Sequence, residues 1–211
     1  MSALLDGAAL AELTPAFGTP VHDAQAVFRL LLDAMSRPGR VPSLPPACRD
    51  TLGHPEGLSP ACAAVLLTLL DADTRLWVAP QLDHAPLRAW LRFHTGAQLA
   101  AQPEHADFAL LTAAEAEPAL LQRLPAGSDA SPQDSATALI AVPQIDAGAG
   151  PLRWQGPGIE QEHRLGIAGL SDGFWAWRQE QQRSFPCGLD VVFTAGDALV
   201  ALPRSTRVEG H

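Results

Sequence analysis

Three residue types are missing from this chain of 211 residues: it has no lysine, no tyrosine and no asparagine, and all 14 of its basic residues are arginine. Without lysine, the chain cannot form a Schiff base through a side-chain amine or supply the lysine of a phosphate-binding P-loop. Without tyrosine and asparagine, it has no catalytic phenol and no asparagine amide for an oxyanion hole. These absences exclude several large classes of enzyme mechanism.

Cysteine is scarce, and the three residues Cys48, Cys62 and Cys187 lie far apart, outside any C-x-x-C pair. This arrangement argues against a disulfide framework and a structural zinc site, and it favours a reducing compartment. Long apolar runs are also missing, because the longest, at 61–70, is too short to cross a bilayer. Residues 1–16 lack the basic and apolar regions of a secretory signal. We therefore expect a soluble, cytoplasmic protein.

Positive charge is in short supply as well. The formal net charge is −9 and the calculated pI is about 5.1. Such a surface repels nucleic acids and anionic membranes, so we expect neither as a partner.

Hydrophobic periodicity predicts several helices. Residues 22–39 show helical spacing from Val27 onward, and Asp23 is the candidate cap of the helix start. Ser59 and Pro60 predict an N-cap and first turn, and Asp83 is expected to open the helix that ends at 93–96. The sequence TAAE at 112–115 predicts a capping box for a helix that runs to about residue 124. A further helix is predicted at 171–182.

Strands are predicted between these helices, at 40–44, 74–79, 106–111 and 137–143, with an edge strand at 148–158 and a hairpin around 195–197. Helices and strands alternate until the last third, where strands cluster. The pattern predicts a three-layer α/β/α fold whose mixed sheet is parallel in its first half and ends in an antiparallel hairpin. We expect an N-terminal tail at 1–16 and a single domain at 17–211.

The common catalytic motifs are absent: there is no G-x-S-x-G, no G-x-G-x-x-G after a strand, no H-E-x-x-H and no P-loop. His94, His105 and Asp107 form the nearest approach to a metal-binding set, but surface histidines flanking a loop are the favoured explanation. Asp71 and Asp73 stand between a helix and a strand, where an Asx-turn is the ordinary role and a cation site the alternative.

Two polar stretches remain as candidate sites. In RFHTG at 92–96, Arg92 and His94 fall in the last turn of a helix, where positive charge meets the negative end of the dipole, and Gly96 is expected to cap that end. The functional alternative is that Arg92 and His94 face an anion.

The second stretch flanks the terminal hairpin, where Gly188, Asp190, Arg204 and Thr206 lie near strand ends. Strand ends are where α/β folds place their sites. Cys187 stands beside Gly188, but no neighbouring histidine indicates that it is activated as a nucleophile.

Four blocks, DAQAVFRLLLDAMSRPG, VLLTLLDADTRLWV, LRFHTGAQL and FPCGLDVVFTAGDALVALPRSTRVE, resemble in sequence and order the H subunit of bacterial carbon–phosphorus lyase, the PhnH family. The resemblance runs from about residue 17 to residue 209. It implies a fold similar to that of pyridoxal-phosphate-dependent transferases without the cofactor. It also implies a role in organic phosphonate breakdown, with the G, I and J subunits as partners and a homodimer when isolated.

In that system ATP and a phosphonate give a ribose 1-phosphonate 5-triphosphate before the C–P bond is cleaved. The resemblance favours an accessory, non-catalytic subunit without a cofactor or metal. The alternative is a phosphate- or phosphonate-binding subunit, or a transferase, that uses Arg92, His94 and Arg204.

Overall fold

The computed structural model describes residues 14–210, and its centre is a six-stranded sheet. The strand order is β2-β1-β3-β4-β7-β8, in which the first five strands are parallel and β8 returns antiparallel to β7. The strands are β1 (Arg75–Val78), β2 (Gln98–Leu99), β3 (Phe108–Thr112), β4 (Thr137–Ala141), β7 (Asp190–Ala195) and β8 (Ala198–Leu202). The predicted mixed sheet and its terminal hairpin are confirmed.

Helices cover one face of this sheet. The helices of the described chain are α1 (Pro20–Ser36), α2 (Pro46–Arg49), α3 (Pro60–Leu69), α4 (Ala85–His94), α5 (Pro118–Leu121) and α6 (Asp172–Gln181). Buried residues of α1, α3 and α4, such as Val27, Leu66 and Leu87, share one core with Leu110 and Leu139 of the sheet. Helix α3 is apolar nearly all round, and its residues 61–66 are accordingly all buried.

The opposite face carries helices α5 and α6 together with a second sheet. Strands β5 (Ile145–Gln155), β6 (His163–Ile167) and β9 (Arg207–Glu209) form a three-stranded antiparallel sheet in the order β6-β5-β9. Its Trp154 and Leu165 join Phe174 of α6 in a second core against Phe193 of β7. The third layer is therefore mixed, and the predicted all-helical layer is wrong there, because alternation in short strands is a weak signal beside helical periodicity.

Two strand predictions need correction. Residues 40–44 contribute only an isolated bridge, between Ser43 and Ala198, and not a strand. The segment predicted as an edge strand at 148–158 belongs to β5, which pairs with β6 on one side and with β9 on the other. Its glycines suggested an edge, but they allow close approach instead: a Cβ on Gly150 would lie 1.9 Å from the backbone of Leu165.

The helix starts differ from expectation in three places. His84, and not Asp83, caps α4, because its Nδ1 accepts from the Leu87 N–H at 3.2 Å. Asp23 lies inside α1, where its carboxylate accepts from the N–H of Thr19 at 2.8 Å. The capping box at 112–115 is present, but it opens a single 3-10 turn and is followed separately by α5, since Pro118 begins a new helix. The Ser59 cap of α3 is confirmed.

Within residues 14–210, no helix has the length and apolarity needed to span a membrane.

Candidate functional site

The candidate residues near the terminal hairpin meet at the amino-terminal edge of the parallel sheet. Asp190 begins β7 opposite Thr137, which begins β4, and Arg204 follows the end of the antiparallel β8. Sheets of α/β proteins ordinarily bind ligands at the carboxyl ends of their strands, and Asp190 and Arg204 lie at the opposite edge. The structure therefore brings Asp190 and Arg204 together at an unusual place for a binding site.

Asp190 and Arg204 form a closely fitted ion pair. Nη2 of Arg204 donates to Oδ2 of Asp190 at 2.6 Å, Nε donates to both carboxylate oxygens at 3.2–3.3 Å, and the backbone N–H of Arg204 donates to Oδ1 at 2.7 Å. Nη1 donates to the carbonyl of Pro132 at 2.6 Å. The Arg204 side chain is 18% exposed and the Asp190 side chain is 16% exposed. Each guanidinium nitrogen thus already has an acceptor within the chain.

A second arginine, Arg178 of α6, lies fully buried in the same region. Nη1 donates to the carbonyl of Leu189 and to Oε1 of Gln181, both at 2.9 Å, and Nη2 donates to the carbonyl of Pro203. Within the described part of the chain, its Nε has no hydrogen-bond partner. Burial lowers the pKa of Arg178 to about 10, with Asp190 opposing this change and Arg204 adding to it.

Arg178 was missed at the sequence level, although a signal for it exists. It falls on the same face of α6 as Phe174 and Trp175, which are buried, so the helical pattern places a cation among core residues. A charged residue on an apolar helix face needs partners in the core. The partners here are carbonyls contributed by segments distant in sequence, and a helical pattern does not reveal them.

Gly188 and Thr206 join the same polar region through their backbones. The N–H of Gly188 donates to the carbonyl of Ala126 at 2.8 Å, and the carbonyl of Thr206 accepts from the side-chain amide of Gln182 at 2.8 Å. Gly188 has a φ of +131°, which favours glycine. The hydroxyl of Thr206 is buried without a hydrogen-bond partner. These contacts tie the 125–135 loop and α6 to the hairpin.

Arg92 and His94 lie elsewhere, in the last turn of α4. His94 Nε2 donates to the carbonyl of Thr14 at 3.1 Å, and the indole N–H of Trp90 donates to the carbonyl of Pro15 at 3.2 Å. Gly96 has a φ of +72°, so the expected left-handed helix end is present. Arg92 is exposed, and within residues 14–210 it has no ion-pair partner. His94 thus holds the first described residues of the chain.

The two groups are not brought together. Helix α4 packs in the core on one face of the sheet, and α6 with Arg178 packs in the core on the other. Strand β1, which leads into α4, is three strand spacings from β7, about 14 Å. Arg92 and His94 therefore do not share a pocket with Arg204 in this structure.

The remaining polar candidates have local roles. The Asp71 carboxylate accepts from the N–H of Asp73 at 3.0 Å, which is an Asx-turn. Asp107 pairs with Arg75 at 2.6 Å, and this arginine lowers the pKa of the Asp107 carboxyl. Among the described residues, no three His, Cys, Asp or Glu side chains are grouped closely enough to hold a metal ion.

The carboxyl ends of β3, β4 and β7 border a shallow cavity of about 380 Å³. Its lining is small and uncharged, and comprises Gly57, Ser59, Thr112, Ala113, Ala114, Ala141, Val142, Pro143, Gly169 and Thr194. The N–H groups at the start of α3 are already used: that of Ala61 donates to the carbonyl of Gly196, and that of Cys62 to the Ser59 hydroxyl. This position therefore offers no charged group for acid–base chemistry or anion binding.

The cysteines have no activating environment. Burial raises the pKa of the Cys48 thiol to about 11 and that of Cys62 to about 12. Cys187 is partly exposed, and desolvation followed by its contact with Asp129 raises its pKa as well. A raised thiol pKa reduces the thiolate fraction and hence nucleophilicity at neutral pH.

Comparison with known proteins assigns the chain to a family. Residues 15–209 match the family described as "Bacterial phosphonate metabolism protein (PhnH)". The chain belongs to the PhnH family. One relative of this family, the "Alpha-D-ribose 1-methylphosphonate 5-triphosphate synthase subunit PhnH" of Rhizobium meliloti (strain 1021), is 36% identical over 194 residues, covering 92% of this chain and 94% of the relative.

A second relative is the "Putative C-P lyase subunit protein HtxG" of Stutzerimonas stutzeri, which is 35% identical over 188 residues. The alignment covers 87% of this chain and 85% of that protein. The residues that match the PhnH family include Asp190, Arg204, Arg178 and the end of α4. The resemblance found in the four sequence blocks is thereby confirmed.

Proposed function

We propose that this chain is the H subunit of a carbon–phosphorus lyase assembly in organic phosphonate catabolism. In this role it supports the formation of a ribose 1-phosphonate 5-triphosphate from ATP and a phosphonate, and it does so as an accessory subunit without catalytic residues. The observation that carries the proposal is the family match over residues 15–209, together with a relative named as a subunit of that synthase and aligned over 94% of its length.

The accessory role is supported by the engagement of the polar side chains. Arg204 is held by Asp190 and by the carbonyl of Pro132, and Arg178 is buried against three oxygen acceptors. A ligand anion would have to displace these partners from a region that is mostly buried, with a net loss of hydrogen bonds. The uncharged cavity at the carboxyl ends of β3, β4 and β7 also supports an accessory role.

The alternative function, a phosphate- or phosphonate-binding subunit using Arg92, His94 and Arg204, has one favourable observation. Arg92 is exposed at the end of α4 beside His94, and within residues 14–210 it has no ion-pair partner, so there it could meet an anion or a partner. Against it, Arg204 lies on a different part of the sheet, so the three residues do not converge on one ligand.

Further features follow from the same proposal. We expect partner subunits of the G, I and J types, a homodimer when the chain is isolated, and a cytoplasmic location. We also propose a fold similar to that of pyridoxal-phosphate-dependent transferases. The absence of lysine removes the residue that would form the internal aldimine in such a fold.

Co-expression with the other subunits, followed by purification of the complex and measurement of triphosphate product from ATP and methylphosphonate, tests this function. Omitting this chain should abolish product formation or complex assembly, and the chain alone should form no product. Arg92→Ala should retain full activity in an intact complex. A complex that assembles normally with Arg92→Ala or His94→Ala but loses turnover at saturating ATP would contradict the accessory role and support the ligand site.

A further inference from the structure

Helix α1 exposes a row of large apolar side chains. Val21 is 69% exposed, Phe28 is 47% exposed and Leu32 is 52% exposed. Their spacings of seven and eleven residues place them within about 40° of one another around the helix. We call these three residues the α1 stripe.

The α1 stripe lies outside the face that packs the protein core. Val27, Leu31 and Ala34 of the same helix are buried and face α3 and the sheet. A helix on the surface of a soluble protein ordinarily turns polar residues outward. Apolar side chains that line up on the outer face are typical of a surface covered by a partner.

The charged residue that flanks the α1 stripe is basic, although the whole chain has a net charge of −9. Arg29 follows Phe28 directly and lies about 100° from it around the helix. Arg29, Arg37 and Arg40 are exposed, and Arg29 has no ion-pair partner within residues 14–210. Asp33 of this helix is half-buried and is already paired with Arg37 at 2.8 Å and with Arg40 at 3.9 Å. The buried Asp23 accepts from the Thr19 backbone.

We propose that the α1 stripe is the docking surface for another protein subunit of the assembly, one whose apolar contact surface is bordered by carboxylates. This inference rests on the proposed function for the existence of the partner subunit. The apolar side chains would fill the centre of the interface, and Arg29 would pair with a carboxylate at its rim.

The charge of Arg29 also argues against a second copy of this chain as the occupant. In an antiparallel pairing about a two-fold axis, each α1 stripe would meet the other and the same flank of each helix would lie together. Arg29 of one copy would then approach Arg29 of the other, and like charges oppose such a contact. Self-association of the isolated chain therefore uses another surface.

The test is retention of the tagged chain in the complex co-expressed with the G, I and J subunits. Phe28→Gln/Leu32→Gln removes two apolar side chains from α1 while keeping helix-forming residues. The matched control is Leu99→Gln/Phe185→Gln, which removes two exposed apolar side chains elsewhere on the surface. Circular dichroism and thermal unfolding verify that both variants fold.

The stripe variant should bind the remaining subunits at least about tenfold more weakly than the wild type, because truncation of central interface anchors has effects of this size. The control variant should bind as the wild type does. Arg29→Glu should also weaken binding and reduce its dependence on salt.

Three outcomes separate the possible failures. If the wild-type chain does not enter the complex, the proposed function itself is wrong. If the wild type enters but a folded stripe variant is retained equally well, the docking surface is elsewhere. If sedimentation of the isolated chain shows that Phe28→Gln/Leu32→Gln converts a dimer to a monomer, the occupant is a second copy and the proposal is overturned.

Discussion

Removing the carboxylate of the Asp190–Arg204 pair should destabilise the fold more than removing its guanidinium. In Asp190→Asn, both Arg204 and the buried Arg178 keep their charge while the nearby carboxylate is lost. In Arg204→Met, Asp190 keeps the backbone N–H of residue 204 at 2.7 Å and the field of Arg178. The two single changes are therefore unequal, although they break the same ion pair.

The magnitude follows from burial and hydrogen bonding. Breaking a buried pair by removing one partner costs about 3–5 kcal/mol. Because Asp190 and Arg204 are 16% and 18% exposed, we place Asp190→Asn at the low end, about 3 kcal/mol. Arg204→Met loses a hydrogen bond to Pro132 but also relieves the repulsion on Arg178, so we expect about 1–2 kcal/mol.

Urea denaturation followed by tryptophan fluorescence measures both free energies of unfolding, and the chain has five tryptophans to report it. The double variant Asp190→Asn/Arg204→Met should cost less than the sum of the two single changes. Arg75→Met serves as the control, since its pair with Asp107 is more exposed, and its effect should be smaller than either. If Arg204→Met costs as much as Asp190→Asn, the proposed coupling of Asp190 to Arg178 is refuted.

Three further results are expected. Gly96→Ala should destabilise the protein by about 1 kcal/mol because φ is +72°, whereas Gly173→Ala, at an ordinary helical position, should be neutral or slightly stabilising in the same urea assay. A thiol reagent should label only Cys187, slowly, in the native protein and all three cysteines in urea; rapid native labelling of more than one would contradict the burial. Arg75 lowers the pKa of Asp107, so this carboxylate stabilises the fold fully above the pKa of an unfolded aspartate, about 4, and the stabilisation is lost as the pH falls through the lower pKa of the folded state. Asp107→Asn should therefore flatten the acid side of the profile of unfolding free energy against pH.

The parts of the fold that depend on local pattern were predictable. Helix α3 has both the Ser59 cap and Pro60 at its first position, and its start follows from these residues. The terminal hairpin follows from two apolar runs around Gly196. These elements are encoded by neighbouring residues, and no distant contact is needed to select them.

Most of the second sheet was not predictable in this way, although the strand predicted at 148–158 overlaps β5. Strand β5 is interrupted by a register shift between Ala147 and Leu152, which breaks the alternation that would identify a strand. Strand β9 has three residues and exists because Trp154 pairs opposite Val208, more than fifty positions away in sequence. Pairing at such a distance determines these strands, so a local pattern cannot reveal them.

The candidate site shows the same division. Asp190 and Arg204 were selected because they flank a hairpin, and strand pairing brings the ends of β7 and β8 together. The position of Arg178 depends on the packing of α6 against the main sheet, which the sequence pattern does not specify. Arg92 and His94 were grouped with Arg204 on residue type alone, and the sheet order separates them.

The placement of charge across the sheet favours a role in assembly over one in catalysis. Catalytic α/β domains place polar groups at the carboxyl ends of their parallel strands, free to meet a ligand. Here the cavity at the carboxyl ends of β3, β4 and β7 is lined by small uncharged residues, and Asp83 and Arg88, which line a cavity at the ends of β1 and β2, are paired with each other. The buried arginines lie at the amino edge, with their hydrogen bonds directed to carbonyls and to Asp190. Such an arrangement fixes the hairpin, α6 and the 125–135 loop against one another. It supplies a rigid body that carries the α1 stripe on its surface, as the proposed docking of a partner subunit requires.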